Sequence, residues 1–177
     1  MNNKFNSPTY EITPQTMAVL VHCDERGHTG AWILEESDDY YVDNSPSKVI
    51  DQSCRFFGSS LKGRQEGTFN VCRITHKAPI SIDPSNGMYF FPTTSPVNPR
   101  CSWIAHSHVA QVNNLKDNFT EIVFNNGRKL PIQVSFGSIQ NQLHRTAQFR
   151  FLLDKRISHL RPQAADRVAE PFAQILE

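Results

Sequence analysis

Residues 51–67, DQSCRFFGSSLKGRQEG, join an amphipathic run to a basic segment punctuated by glycines, and the rest of the chain has to support that join. The run breaks at Gly58, after which Lys62 and Arg64 follow among glycines 58, 63 and 67. Cations and bare backbone amides in one place suit a nucleotide phosphate or a nucleic-acid backbone. Gly58 and Gly63 fit a G-x-x-x-x-G frame, but a phosphate loop continues with Lys and then Ser or Thr, and here Arg64 and Gln65 follow. A phosphate loop also needs a strand before it, whereas the residues before Gly58 read as helix. The nucleotide reading is rejected. A mobile basic loop remains, serving either a polyanion or plain solvated connection.

Upstream, Ser45 is positioned as a cap and Pro46 at the first helical position, which predicts a central helix over about 46–57. Val49, Ile50, Cys54 and Phe57 share the side expected to pack, leaving Lys48, Asp51, Gln52 and Arg55 for solvent or a partner. Farther upstream, Tyr10–His22 reads as a strand or hairpin ending in MAVLV, and residues 24–27 as a turn. Ala31–Leu34 and Tyr40–Val42 read as short strands, so the front third is expected to form a small antiparallel sheet. Downstream of the basic loop, Thr68–Thr75 alternates like a strand with both faces partly used. Pro79–Ile82 and Met88–Phe91 flank a strong turn at 83–87. The three prolines of residues 92–100 predict a loop, and Trp103–Val109 a further strand. Strands over 120–124 and 130–134 flank Asn125-Asn126-Gly127-Arg128, a hairpin signal, with Pro131 marking the second as an edge. From Ser138 the period turns helical, predicting a long helix over about 138–158. Ile139, Leu143, Ala147, Leu153 and Ile157 fall on one face; Asn141, Arg145, Gln148, Arg156 and His159 form a polar stripe without an acid. Arg150 and Asp154 interrupt the apolar face as an i,i+4 pair in the less favourable charge order. The fold class is thus α+β.

A chain of 177 residues can build one domain with a sizeable core, or one plus a small appendage. Its apolar fraction of 38% includes no run long enough to span a membrane, and the N-terminus lacks a charged-then-apolar signal pattern, so a cytoplasmic protein is expected. Cysteines 23, 54, 72 and 101 show no short pairings and read as reduced thiols. The net charge of +1 hides an asymmetry: residues 1–49 hold three Lys and Arg against eight acids, and residues 50–160 hold thirteen against six. An acidic front and a basic middle suit a domain with one polyanion-binding face, or two charge sets that neutralise each other across the fold. Cys72, His76, Cys101, His106 and His108 offer thiolate and imidazole ligands for zinc, but without a Cys-x-x-Cys spacing. A metal-dependent hydrolase at those histidines lacks neighbouring acids. A cysteine nucleophile at Cys54 or Cys101 needs a positioned histidine that sequence cannot supply.

DQSCRFFGSSLKGRQEGTFNV (51–71), ITHKAPISIDPSN (74–86), FFPT (90–93), Cys101-x-Trp103-Ile104, His106-x-His108-Val109, FNNG (124–127) and NQLHRTA (141–147) together resemble the ComK family, competence transcription factors of Bacillus and related Gram-positive bacteria. The resemblance covers roughly residues 10–158, with the motifs in order and at matching spacing. It implies a cofactor-free activator of DNA-uptake genes that binds paired AT-rich boxes mainly through the minor groove, as dimers joining into a tetramer. It further implies RNA polymerase as a partner, a nucleoid-associated location, and capture by a MecA-like adaptor that delivers the protein to a Clp protease. Residues 1–160 are then the DNA-binding domain and 161–177 a C-terminal tail, shorter here than in the family and different in sequence from the region the family associates with adaptor capture and activation. The narrow AT-rich minor groove attracts Arg and Lys. Residues expected at the DNA are therefore Ser59, Ser60, Lys62 and Arg64 in the basic loop, Arg55, Arg73 and Lys77 flanking it, and Asn141, Gln142 and Arg145 on the long helix. Two other classes stay open: a protein-interaction regulator that lacks DNA binding, and the His/Cys metal hydrolase.

Overall fold

The apolar run that ends the first predicted strand becomes β1 (Thr16–Cys23), the strand on which the larger sheet is assembled. The computed structural model describes residues 11–160. β2 (Thr29–Glu35) and β3 (Asp39–Val42) follow β1 as a meander, and β4 (Ile80–Asp83), β5 (Met88–Pro92) and β6 (Trp103–Ala105) complete a six-stranded antiparallel sheet in the order β3-β2-β1-β6-β5-β4. Register places Val19 opposite both Ile33 and Trp103, which brings three fully buried side chains together at the sheet centre. A second sheet, β7 (Val109–Asn114), β8 (Thr120–Phe124) and β9 (Lys129–Ile132), turns on Gly127 at φ 82°, and β9 with its Pro131 is an edge as expected.

Among the described residues three helices cover these sheets: α1 (Pro46–Phe56), α2 (Leu61–Cys72) and α3 (Phe136–Leu160). Val49, Ile50 and Cys54 of α1 pack on Val19, Ile33 and Trp103. Fully burying an aliphatic side chain is worth about 1.5–3 kcal/mol, and Val49 and Ile50 hold α1 to the sheet on that scale. The Trp103 indole also donates to Ser47 Oγ at 3.2 Å. A second core joins Ala18, Leu34, Phe91 and Ile104 to Ile122 and Phe124 of the small sheet and to Ile139 of α3.

The segment expected as a mobile loop followed by a strand is a single helix, α2. Gly63 and Gly67 lie inside it and only Gly58 takes a positive φ, 73°. Two glycines cost a helix about 1 kcal/mol each. Its first turn offsets part of that cost: Ser60 Oγ accepts from the Gly63 amide at 3.0 Å and Asp51 Oδ1 from the Leu61 amide at 2.8 Å. Thr68, also buried, donates its hydroxyl to the Pro79 carbonyl at 2.6 Å and ties the helix to the strand that follows. The expected strand over Trp103–Val109 is likewise split, with a 3₁₀ turn at His106–His108 redirecting the chain into β7 and the second sheet. The buried residues of α3 are Ile139, Gln142, Thr146 and Phe149, a stripe rotated from the expected one, and Ala147 is exposed. Arg150 and Asp154 interrupt the apolar pattern because both reach Tyr89 on β5: its hydroxyl donates to Asp154 Oδ1 at 2.8 Å and the Arg150 guanidinium lies 5.5 Å from its ring centroid. The tail, 161–177, lies outside the described residues.

Candidate nucleic-acid interface

A helix of eleven residues that ends on Phe-Phe-Gly-Ser needs a device to turn the chain. The amide of Gly58 donates to the Arg55 carbonyl at 2.9 Å and that of Ser59 to the Cys54 carbonyl at 2.9 Å. These two bonds, with Gly58 left-handed, make a Schellman motif, in which glycine is favoured because it lacks a Cβ. α2 starts three residues later. Asp51 spans the turn from the α1 side, with Oδ2 accepting from Arg55 Nε at 2.8 Å while Oδ1 caps α2. Burial raises the Asp51 pKa, but the Arg55 and Leu61 hydrogen bonds outweigh it and leave the carboxyl below its ordinary value. Arg64 reaches back from α2, its Nη2 donating to the Phe57 carbonyl at 3.3 Å. The turn is thus braced from both helices.

Five expected residues meet at this tip. Arg55 is 68% and Lys62 86% exposed, and the nearest acid to Lys62 is Glu66 at 3.9 Å, a weak surface pairing. Arg64 is half-buried, and Ser59 and Ser60 form the turn itself. Of the other five, Arg73, Lys77, Gln142 and Arg145 lie toward the far end of α2. Arg73 is its C-cap at φ 61° with its guanidinium 5.2 Å from the Phe69 ring centroid, and Lys77 takes φ 47°. Neither is glycine, so both cations sit in backbone that L-residues avoid. Beneath them, Gln142 Nε2 donates to the carbonyls of Lys77 at 3.1 Å and Pro92 at 2.7 Å, while Arg145 donates to Gln142 Oε1 at 3.1 Å and to the His76 carbonyl. Gln142 is 2% exposed, so it braces the 74–79 segment and has no surface to offer a ligand. Asn141 is exposed on the outer side of α3. Twelve residues at a rise of about 1.5 Å separate the two ends of α2 by about 18 Å, close to half a turn of B-DNA.

Between α2 and the 74–78 and 95–97 segments lies a groove of about 740 Å³. Leu61, Phe69, Ile74 and Val97 line it with charges of both signs, Asp51 and Glu66 against Lys62 and Lys77, which does not favour a polyanion inside it.

A family model described as the ComK protein matches residues 7–158. The chain belongs to the ComK family. It is 39% identical over 173 residues to the competence transcription factor of Bacillus subtilis (strain 168), covering 97% of this chain and 90% of that protein. No solved structure gives a significant match.

In this ComK-family chain the Cys/His set raised for zinc is dispersed, and among the described residues no group of three or more His, Cys, Asp or Glu converges. Burial pushes the Cys54 thiol up to about 11 and raises Cys101 as well, opposite to what a nucleophile requires. His108 bonds the Pro14 carbonyl at 2.8 Å, whereas His106 Nδ1 is buried without a partner. Burial, then the Arg150 charge, lowers the His106 pKa below 6.5, with a backbone hydrogen bond to Leu143 opposing. The unfolded chain therefore takes up a proton at a pH where the fold does not. Stability is full above about 6.5 and falls as pH drops from there through the folded-state value. Urea unfolding at pH 7.5 and 5.5 is expected to show a smaller acid loss for His106→Gln than for the parent.

Sequence reasoning missed two residues of the tip. Phe57, assigned to the packing side of α1, is 36% exposed, and Phe56 is 67% exposed. The adjacent glycine was the available signal: a side chain at the very end of a helix lies past the sheet its helix packs on.

Proposed function

We propose that this chain is a sequence-selective DNA-binding activator of competence genes that reads paired AT-rich boxes mainly through the minor groove, as a dimer or tetramer, in the cytoplasm at the nucleoid. It acts as a regulator rather than an enzyme. The family and the relative's description support the regulatory role. The braced α1–α2 turn, which gathers Arg55, Lys62 and Arg64 on rigid backbone, is the observation that carries the DNA contact. Arginine and lysine are drawn to the narrow AT-rich groove, and a protein of low net charge can hold DNA when several copies share the phosphates. Arg73, Lys77 and Arg145 supply backbone contacts at the other end of α2. Among the described residues no helix is long and apolar enough to cross a membrane. RNA polymerase and a MecA-like adaptor with its Clp protease complete the proposed partners, and the mixed-charge groove beside Val97, 92% exposed, favours a protein partner there.

A titration with a duplex carrying two AT-rich boxes, repeated with scrambled boxes and with a minor-groove competitor, tests this. Binding lost in both controls is the expected result, and no binding at low salt by folded protein sinks it, giving the lead to the interaction-regulator reading. Arg73→Gly separates contact from fold. Relief of the left-handed backbone is expected to raise stability by about 1 kcal/mol. Loss of one phosphate contact is expected to weaken DNA binding on all sequences and reduce the salt slope by about 1. Unchanged affinity removes Arg73 from the interface.

A further inference from the structure

We propose that Phe56 and Phe57 form an apolar wedge that enters a flexible TA step of the bound box and unstacks it; this rests on the minor-groove reading above. The two rings meet edge-on with centroids 5.1 Å apart and planes at 77°. They stand at the end of α1, exposed by 67% and 36%. Each aromatic ring carries a large apolar area that water disfavours, and neither belongs to the buried cores.

Their setting identifies the ligand. Arg55 precedes them on the same helix, its Nε paired with Asp51 and its side chain 68% exposed, and Arg64 is hydrogen-bonded to the Phe57 carbonyl, so two guanidinium groups belong to the same turn as the pair. The contrasting aromatic group, exposed Trp32 with half-buried Tyr41 and His22, has ring centroids 5.5 to 6.1 Å apart and lies near Asp24 and Asp43, whose charges act on Tyr41 and repel a polyanion. The Schellman turn and the Asp51 bridge hold the Phe pair in place before DNA arrives, so little conformational freedom is lost on entry. Minor-groove proteins insert Phe, Leu, Ile, Met or Pro between base steps, and TA steps unstack at lowest cost. The wedge therefore selects not AT content alone but a deformable step at a fixed place in the box.

The test uses the full chain and a two-box duplex in which 2-aminopurine replaces an adenine of a TA step, with donor and acceptor dyes at the duplex ends. Parent protein is expected to raise 2-aminopurine emission and shorten the end-to-end distance. Phe56→Ala and Phe57→Ala are each expected to lose affinity about tenfold, the scale of one lost base–aromatic stack. The emission rise should vanish, while the salt slope stays that of the parent because the phosphate contacts remain. Phe56→Leu should restore part of both signals, and circular dichroism should show all variants folded. Alanine variants that bind with undiminished emission overturn the wedge and leave the DNA reading standing. Folded parent that binds neither this duplex nor an unlabelled one overturns both. Alanine variants that lose self-association without DNA, seen by sedimentation, make the pair a subunit contact and overturn the wedge.

Discussion

Gln142→Leu is expected to lower the free energy of unfolding by about 3 kcal/mol, although the two side chains are similar in size and the site is buried. The amide gives one proton to the Lys77 carbonyl and one to the Pro92 carbonyl, and its oxygen takes one from Arg145. Leucine leaves two carbonyls and a guanidinium proton unpaired, the Pro92 carbonyl in a fully enclosed place, and each buried orphan costs about 1–3 kcal/mol. A chain with a total stability of about 5–15 kcal/mol survives that, so the variant can be measured by urea unfolding. A second effect follows from what the carbonyls belong to. The 74–79 segment carries Lys77 at φ 47°; α2 holds its Pro79 end through Thr68, and α3 holds the Lys77 and His76 carbonyls through Gln142 and Arg145, so the cation loses its position before the fold fails. Weaker DNA binding at temperatures where the variant remains folded is the expected companion result. A loss of stability below about 1 kcal/mol refutes the bracing role.

Gln142 also marks where the sequence stops being legible. Hydrophobic period located α3 to within a few residues but assigned its face by apolarity, through Ala147, Leu153 and Ile157. The helix instead buries Gln142 and Thr146, because each satisfies its polar atoms internally, Thr146 by donating to the Gln142 carbonyl. Local chemistry served the strands better. The turn at Asp83–Gly87, the Asn-Gly hairpin and the alternation of β1–β3 are all set within a few residues of chain, and each element stands where its pattern puts it. α2 was hidden because Gly63 and Gly67 lie inside it and read as loop punctuation, although its Ser60 cap is local; the further support from Asp51 to the Leu61 amide comes from another helix. Legibility of the site divides the same way. Arg55, Ser59, Ser60, Lys62 and Arg64 converge because they flank one turn, whereas the roles of Gln142 and Arg145 depend on a segment more than sixty residues away.

Asp51→Ala is expected to cost about 2 kcal/mol of stability and, unlike most surface changes, to weaken DNA binding as well. The carboxylate joins the two helices across the Phe57–Ser60 turn, taking the Leu61 amide on Oδ1 and Arg55 on Oδ2, while Arg64 braces the turn from the α2 side. Alanine removes the acceptor of the Leu61 amide, worth about 1 kcal/mol, and leaves the first turn of α2 to the Ser60 cap alone, where Gly63 already disfavours helix. Asp51→Asn separates charge from geometry. Its amide oxygen can still accept from Leu61, so the expected loss is below about 1 kcal/mol, and removal of a negative charge beside Arg55 is expected to leave DNA affinity equal or raised. The pH profile carries the same distinction. Because the folded carboxyl lies below its ordinary 3.8, the stability it contributes is complete above that value and is lost as pH falls through the lowered one; the alanine variant lacks that portion of the acid transition. If the alanine variant binds AT-rich duplex as the parent does while the Leu61 amide has lost its acceptor, the rigidity of the turn is irrelevant to recognition. The cations then reach the groove as a flexible set, which is the behaviour first expected of a loop.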